Sequence, residues 1–269
     1  MLKDITFGQY YSANSPIHRA DPRMKIVLLI TAIVFIFLSK NMYALLFSCL
    51  FVLAVLVISK VPFKIYLKNL KAVLPILVFT AIINMFYSDG NANKLFSIWK
   101  LTVTDAGIYR AVFMATRIIL LIFISSVLTY TTTPNDLTDA MEKLFSPLKY
   151  VGLKTAVHTL AMMMTIALRF IPTLVEEAEK IMNAQKARGA DFENGSLKDR
   201  AKALIPILIP LLISSVRRAY ELAEAMECRC YNGGEGKTRM KQLRLKPMDY
   251  VMCFITVLFC GGIILINLI

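Results

Sequence analysis

Two arginines, Arg188 and Arg229, are the residues of this chain best suited to bind a partner. They lie 41 positions apart, and each ends a helical segment rich in Ala and Glu. The two segments, residues 177–192 and 218–233, are near-copies of one pattern, with two pairs of alanines in register. A guanidinium at the tip of a helix can form a forked, charge-assisted bond with a carboxylate. The duplication therefore predicts two matching docking sites on a partner.

Helix capping is the alternative explanation of these arginines. A cation in the last turn followed by a glycine in the left-handed cap, as in Arg188-Gly189, is how many helices end. In the second copy Cys230 follows Arg229, and glycines come only at positions 233 and 234. We therefore expect that capping alone does not fix the position of the second arginine. We assign docking to two triplets, Ala187-Arg188-Gly189 and Cys228-Arg229-Cys230.

No combination of residues indicates catalysis or a bound cofactor. The two histidines, His18 and His158, are far apart, and the five cysteines contain no C-x-x-C pair. Such cysteines predict reduced thiols rather than a disulfide framework or a metal site. Residues 234–238, Gly-Glu-Gly-Lys-Thr, end like a P-loop, but Tyr231 stands where its first glycine is required. We expect no nucleotide, metal or other cofactor in this chain.

The composition predicts an all-α, polytopic membrane protein. The chain has 269 residues, 57% of them hydrophobic, and a net charge of +13; its mean hydropathy is +0.60. Soluble domains are about 45–50% apolar. Five apolar runs predict five transmembrane helices, of which the first two are shorter than the ~20 residues of a typical span: 26–38, 43–58, 72–87, 108–130 and 250–269.

Lysines and arginines in the connections predict the orientation. The amino-terminal arm carries Arg19, Arg23 and Lys25, and residues 60–71 carry four lysines, whereas the first connection has only Lys40. The amino terminus is therefore expected inside and the carboxyl terminus outside. The prediction divides the chain into residues 1–130 with spans one to four, a cytoplasmic segment 131–248, and a final span in 249–269.

The cytoplasmic segment contains two further apolar stretches, 159–168 and 203–216. Each is too short to span a bilayer, and Pro206 and Pro210 interrupt the second. Since each leads into one charged repeat, we predict two long helices, 154–188 and 197–229, preceded by a shorter one at 135–144. The alternative is two additional spans, which would make seven.

Arg117 and three consecutive methionines complete the candidate residues. A charge inside an apolar run indicates function, but Arg117 could also snorkel or pair within the bundle. No Asp or Glu lies inside the five runs, which argues against a proton- or sodium-driven carrier. Met162, Met163 and Met164 begin the first long helix; they suit either an adaptable binding surface or plain core filling.

A resemblance to a known family rests on three places in the chain. These are the arm at residues 15–25, the two arginine-ended helices, and the run from Glu221 to Gly234. Together they resemble the transmembrane T component (EcfT/CbiQ-like family) of energy-coupling factor (ECF) transporters. In that family both docking motifs read Ala-Arg-Gly or close variants, whereas here the second reads Cys228-Arg229-Cys230.

The resemblance implies a scaffold in a bacterial plasma membrane that is not an enzyme. Its long cytoplasmic coupling helices cross, and each tip lies in a groove of one of two ABC-type ATPases, which bind the ATP. One or several small membrane S components capture the substrate, and Met162, Met163 and Met164 are the contact we expect for them. The lipid bilayer is a further expected partner. We expect no nucleic acid among the partners.

Several functional readings remain open at this point. We favour a shared scaffold for vitamin uptake, on the basis of the methionines. A dedicated T component of a cobalt or nickel transporter is the alternative within the family. Two alternatives come from other classes: a membrane-embedded enzyme that uses His18, His158 and the cytosolic arginines on a lipid or anionic substrate, and a stand-alone carrier.

Overall fold

The computed structural model describes residues 10–86, 94–98, 101–145, 154–190, 197–232 and 245–268. Within these ranges the chain is almost entirely helical. Its nine described helices are α1 (Pro16–Arg19), α2 (Pro22–Leu38), α3 (Met42–Ser59), α4 (Phe63–Phe86), α5 (Asp105–Thr131), α6 (Pro134–Leu144), α7 (Lys154–Ala187), α8 (Leu197–Glu227) and α9 (Pro247–Leu268). The prediction of an all-α polytopic membrane protein is confirmed.

One short element, between α4 and α5, was not predicted from the sequence. Strands β1 (Lys94–Ile98) and β2 (Leu101–Thr104) pair antiparallel, with Lys94 opposite Thr104 and Ile98 opposite Leu101. β2 runs directly into α5. The hairpin therefore forms the connection between the third and fourth predicted spans.

The chain divides into two compact units. We call the described part of Gln9–Thr133 together with Leu243–Ile269 the bundle unit, and the described part of Pro134–Gln242 the arginine unit. In the bundle unit α5 packs against α2, α3 and α4, and α9 packs against α2 and α3. In the arginine unit α7 packs against both α6 and α8.

Large apolar side chains fill the core of the bundle unit. Phe259 of α9 stacks on Phe51 of α3 with ring centroids 4.0 Å apart, and Tyr66 of α4 meets Tyr130 of α5 edge to face at 5.4 Å. Small hydroxyl residues allow neighbouring helices to approach each other closely. Their hydroxyl groups donate hydrogen bonds to carbonyls of their own helix. Ser48, for example, is buried and donates to the Ala44 carbonyl at 2.8 Å.

The outer faces of the bundle unit are also apolar, as expected where lipid is the solvent. Examples of strongly exposed apolar side chains are Leu50, Val57, Ile76, Phe254 and Leu265. Six described helices are long and apolar enough to cross a membrane: α3, α4, α5 and α9 of the bundle unit, and α7 and α8. α2 is as apolar as these, but it has only 17 residues.

The predicted spans all coincide with helices, although several helices begin earlier than predicted. α4 begins at Phe63, nine residues before its apolar run, because Lys64, Lys68 and Lys71 make its first turns polar while leaving them helical. The predicted long helices are observed as α7 and α8, and α8 is continuous through Pro206 and Pro210.

The amino-terminal arm enters the bundle unit through two capped helix starts. Ser15 Oγ accepts a hydrogen bond from the His18 N–H at 3.3 Å, and Asp21 Oδ1 accepts one from the Arg23 N–H at 3.0 Å. A proline occupies the first position of each helix. This combination of cap and proline defines where α1 and α2 begin.

Asp249, which the sequence analysis did not single out, joins the arm to α9. Its carboxylate accepts from the Asp21 N–H at 2.8 Å and from the Lys246 N–H at 2.7 Å, and only 1% of the residue is exposed. Lys246 Nζ in turn donates to the Arg19 carbonyl at 3.2 Å. The first and last helices of the bundle unit are thereby held together at one end.

Gly262 allows α9 to pass close to Phe47 of α3. A Cβ at Gly262 would lie 2.8 Å from Phe47 Cε1, whereas a Cβ at Gly261 would meet nothing within 4 Å. Because the Phe47 ring stacks on Phe259 at 5.8 Å, Gly262→Val is expected to destabilise the bundle by about 1–3 kcal/mol through overpacking. Thermal unfolding in detergent measures this, with Gly261→Val as the matched control. Equal melting temperatures for the two variants would contradict this packing.

Candidate docking site at the helix tips

The end of α7 is a Schellman cap in which Arg188, the residue directly after Ala187, holds the C-cap position. The Gly189 N–H donates to the Lys186 carbonyl and the Ala190 N–H to the Gln185 carbonyl, both at 3.0 Å. Gly189 has a φ of 89°, the left-handed conformation that this cap requires and that glycine adopts at low cost. The cap is made by backbone atoms alone, so the Arg188 side chain is not needed to end the helix.

The end of α8 has the same cap, which corrects the expectation that capping does not fix Arg229. Cys230, with a φ of 54°, takes the position of Gly189, and its N–H donates to the Glu227 carbonyl at 2.8 Å. The Tyr231 N–H donates to the Met226 carbonyl at 3.0 Å. A non-glycine residue adopts this conformation at a cost of roughly 1–2 kcal/mol. Both arginines therefore occupy the same position of the same cap.

All residues of both triplets are solvent-exposed. Each residue of Ala187-Arg188-Gly189 and Cys228-Arg229-Cys230 is exposed. Neither guanidinium makes a hydrogen bond or ion pair with the residues that the structure describes. Cys228 and Cys230 are free thiols, and among the described residues they form no cluster of three metal-binding side chains. The chemistry available at each tip is thus that of an unneutralised guanidinium.

The two repeats contact each other at equivalent positions. Glu177 opens the first copy and Arg218 opens the second, again 41 positions apart. Glu177 Oε2 accepts from Arg218 Nη2 at 2.8 Å and from Arg218 Nε at 3.2 Å, and Glu177 Oε1 accepts from Ser214 Oγ. Arg188 and Arg229 each lie eleven residues beyond this Glu177–Arg218 contact, which is roughly 16 Å along a helix. The two tips are therefore equally distant from a shared point.

The starts of α7 and α8 expose apolar side chains. Met163 and Met164 are more than half exposed, whereas Met162 is half-buried. The methionines are visible in the sequence, but the larger exposed set on α8 is not, because an apolar run does not show which of its residues lack a packing partner. The exposed apolar residues of the two helices include Leu160, Met163, Met164, Leu208, Ile209, Leu212 and Ile213.

Comparison with known proteins identifies the family. The model of the CbiQ family, described as cobalt transport protein, matches residues 13–240, which is most of the chain. The chain belongs to the CbiQ family. The resemblance inferred from the arm and the arginine motifs is thereby confirmed.

Curated relatives place this CbiQ-family chain among the transmembrane components of ECF transporters. Each of three is named energy-coupling factor transporter transmembrane protein EcfT. The protein of Ruminiclostridium cellulolyticum is 52% identical over 99% of this chain and 98% of its own length. That of Clostridium kluyveri is 49% identical over 98% and 97%, and that of Bacillus subtilis is 42% identical over 90% and 91%. Together with the apolar helices, they establish a multi-pass membrane component of a transporter.

Arg117 pairs within the bundle unit of this family member. Its Nη2 donates to the Ser39 carbonyl at 2.5 Å, and its guanidinium carbon lies 4.7 Å from the centre of the Phe113 ring. Ser39 ends α2, so Arg117 places its charge at the negative end of that helix dipole. The predicted pairing of Arg117 within the bundle is thus observed.

The two histidines lie in different units and make local contacts. His18 Nδ1 contacts Ser15 Oγ at 2.7 Å and Nε2 contacts the Tyr11 carbonyl at 2.9 Å. Burial lowers the pKa of His18 below its ordinary value, an effect that its bond to the Tyr11 carbonyl opposes. His158 Nδ1 lies 3.3 Å from Glu142 and ties α7 to α6. Both histidines are thus engaged in holding helices and turns.

Proposed function

We propose that this chain is the scaffold and energy coupler of an ECF importer. Two cytosolic ABC-type ATPases each receive one arginine-ended helix tip, and one or several small membrane S components bind the apolar starts of the same helices. The observation that carries this proposal is the repeated geometry: Arg188 and Arg229 occupy the same position of the same cap, equally far from the Glu177–Arg218 contact.

We propose that α7 and α8 are coupling helices on the cytoplasmic side of the plasma membrane. Both are long enough to span, but the last half of each helix carries a dense set of charged residues: Glu176, Glu177, Glu179 and Lys180 on α7, and Arg217, Arg218, Glu221 and Glu224 on α8. Burying such a set in hydrocarbon would cost several kcal/mol. Lysines in residues 60–71 support placing the amino terminus on the same side.

In this scheme the two helices act as levers that cross at the Glu177–Arg218 contact. ATP-driven closure of the ATPase pair brings the two tips together. Because each helix is a continuous element, the displacement is transmitted past the contact to the apolar starts, where it tilts or releases the S component. The chain itself supplies no catalytic group; the ATPases bind and hydrolyse the ATP.

The nucleotide assignment is part of the proposal. The P-loop-like residues 234–238 lie outside the described residues. Two features of the sequence argue against nucleotide binding there: Tyr231 stands where the first P-loop glycine is required, and the segment follows a helix rather than a strand. In this proposal the S component, not this chain, binds and selects the transported compound. We propose vitamins, because the exposed Met163 and Met164 suit a surface shared by several S components; the family description as cobalt transport protein supports a cobalt transporter as the second candidate.

Affinity purification of the full-length chain from its own cells in mild detergent tests the proposed function. Mass spectrometry of the co-purified proteins is expected to find two ABC-type ATPases and at least one small hydrophobic S component. Several different S components would favour the shared vitamin scaffold, and one alone would favour a dedicated transporter. Recovery of the chain without any ATPase would contradict the proposal.

The methionine assignment predicts a separable effect. The double variant Met163→Lys and Met164→Lys is expected to reduce the amount of recovered S component at least about tenfold, because two ammonium groups would have to be desolvated at an apolar contact. ATPase recovery is expected to be unchanged, since the helix tips are not altered. The double leucine variant, which keeps volume and apolarity, is the matched control. Full recovery of the S component with the lysine variant would show that it binds elsewhere.

A further inference from the structure

A cleft opens into one end of the bundle unit between α2, α3, α5 and α9. It has a volume of about 380 Å³, and it is lined by the first halves of α2 and α9, the second halves of α3 and α5, and the arm. Its rim includes the exposed side chains of Ile58, Val251 and Ile255. The cleft therefore opens on the apolar outer surface of the bundle unit.

The walls of the cleft present almost only carbon. The three polar residues in them are Lys25, Thr131 and Thr256. Both threonine hydroxyls donate to carbonyls of their own helices, and Lys25 Nζ donates to the Thr131 carbonyl at 2.9 Å. Ordered water requires two to four polar partners. Such walls instead favour a hydrocarbon chain as the occupant.

Basic side chains surround the polar end of the cleft. Arg19 and Lys246 are exposed, and each lies two residues from a cleft residue, Ile17 and Met248 respectively. They adjoin each other, since Lys246 Nζ donates to the Arg19 carbonyl at 3.2 Å. The nearby carboxylates of Asp21 and Asp249 are buried and accept backbone N–H groups. Four cations at this end, Arg19, Arg23, Lys25 and Lys246, outnumber these two carboxylates, so the net charge there is positive.

We propose that this cleft binds one anionic phospholipid, with an acyl chain between the helices and the phosphate against Arg19 and Lys246. The apolar walls account for the chain, and the two exposed cations account for the preference for an anionic headgroup. Basic pockets between transmembrane helices bind anionic headgroups in other membrane proteins. The site contains none of the residues assigned to ATPase or S-component docking.

Lipid titration of the delipidated full-length chain in detergent tests the site. We expect phosphatidylglycerol to raise the melting temperature and to leave one bound lipid in native mass spectrometry. Phosphatidylcholine with the same acyl chains is expected to bind roughly 30-fold more weakly, since each cation near an anionic lipid contributes about a factor of five. Equal affinity for the two lipids would overturn the headgroup assignment.

Two variants separate the headgroup from the acyl chain. The double variant Arg19→Gln and Lys246→Gln is expected to abolish the preference for phosphatidylglycerol. The control Lys40→Gln, at the opposite end of α2, is expected to preserve it. Val251→Trp, at the exposed rim, is expected to prevent retention of either lipid by filling the cleft. Unchanged lipid retention in a monodisperse Val251→Trp protein would show that the bound lipid lies elsewhere and overturn the proposal. ATPase docking is not involved in any of these measurements.

Discussion

Replacing both Arg188 and Arg229 with alanine is expected to release the ATPases from this chain and abolish ATP-driven uptake. Truncating one partner of a desolvated arginine–carboxylate pair typically costs about 2–5 kcal/mol. Each single change should therefore weaken ATPase binding roughly 30-fold or more, and the double change should leave no complex that survives purification. Co-purification of the ATPases and uptake by cells carrying each variant measure this.

The structure supplies the control for this experiment. Because both caps are formed by backbone atoms, alanine at either position leaves the helix ends intact, and the variants should remain folded in the membrane. Arg217 is an exposed arginine of α8 that lies twelve residues before the tip. Arg217→Ala removes the same charge and should retain the ATPases. Normal assembly and uptake in the double variant would refute docking through the arginines.

Charge reversal at the Glu177–Arg218 contact is expected to uncouple ATP hydrolysis from uptake. Glu177→Arg places two arginines together, and Arg218→Glu places two glutamates together. Each single change therefore puts like charges on α7 and α8 at the contact between the two helices, where they repel. The side chains are partly exposed, and the loss of stability should accordingly be small. Uptake per ATP hydrolysed is expected to fall severalfold while the ATPases stay bound.

The combined reversal distinguishes a lost contact from a lost charge. The variant with both Glu177→Arg and Arg218→Glu restores an opposite-charge pair and should recover most of the coupling. A double-mutant cycle on uptake per ATP measures this coupling directly. If the combined variant is as uncoupled as the single ones, or if neither single reversal affects uptake, the contact is not the crossing point of the levers.

Hydrophobic pattern predicted the helices well, because lipid-facing and core-facing residues are both apolar and long runs stand out. It placed the start of α4 too late, since Lys64, Lys68 and Lys71 interrupt the run without ending the helix. The buried carboxylate of Asp249 was missed for a related reason. It lies one residue before an apolar run, and one of its two N–H partners, that of Asp21, is brought to it only by the folded arm.

The candidate docking site was predictable in part. The repeat and its arginines are visible in the sequence, as is the family. The matching caps were not, because Cys230 has no intrinsic preference for the left-handed conformation it adopts. The Glu177–Arg218 contact depends on how α7 and α8 pack, although its two residues do occupy the first position of each repeat.

Uptake into liposomes tests the central claim of energy coupling most directly. The chain would be reconstituted with its co-purified ATPases and S component, and accumulation of the labelled substrate of that S component would be followed. ATP-dependent accumulation is expected from the complete complex, and none from this chain alone or from a complex carrying both arginine-to-alanine changes. Transport by the chain alone, or undiminished ATP-driven transport by the doubly substituted complex, would contradict the account.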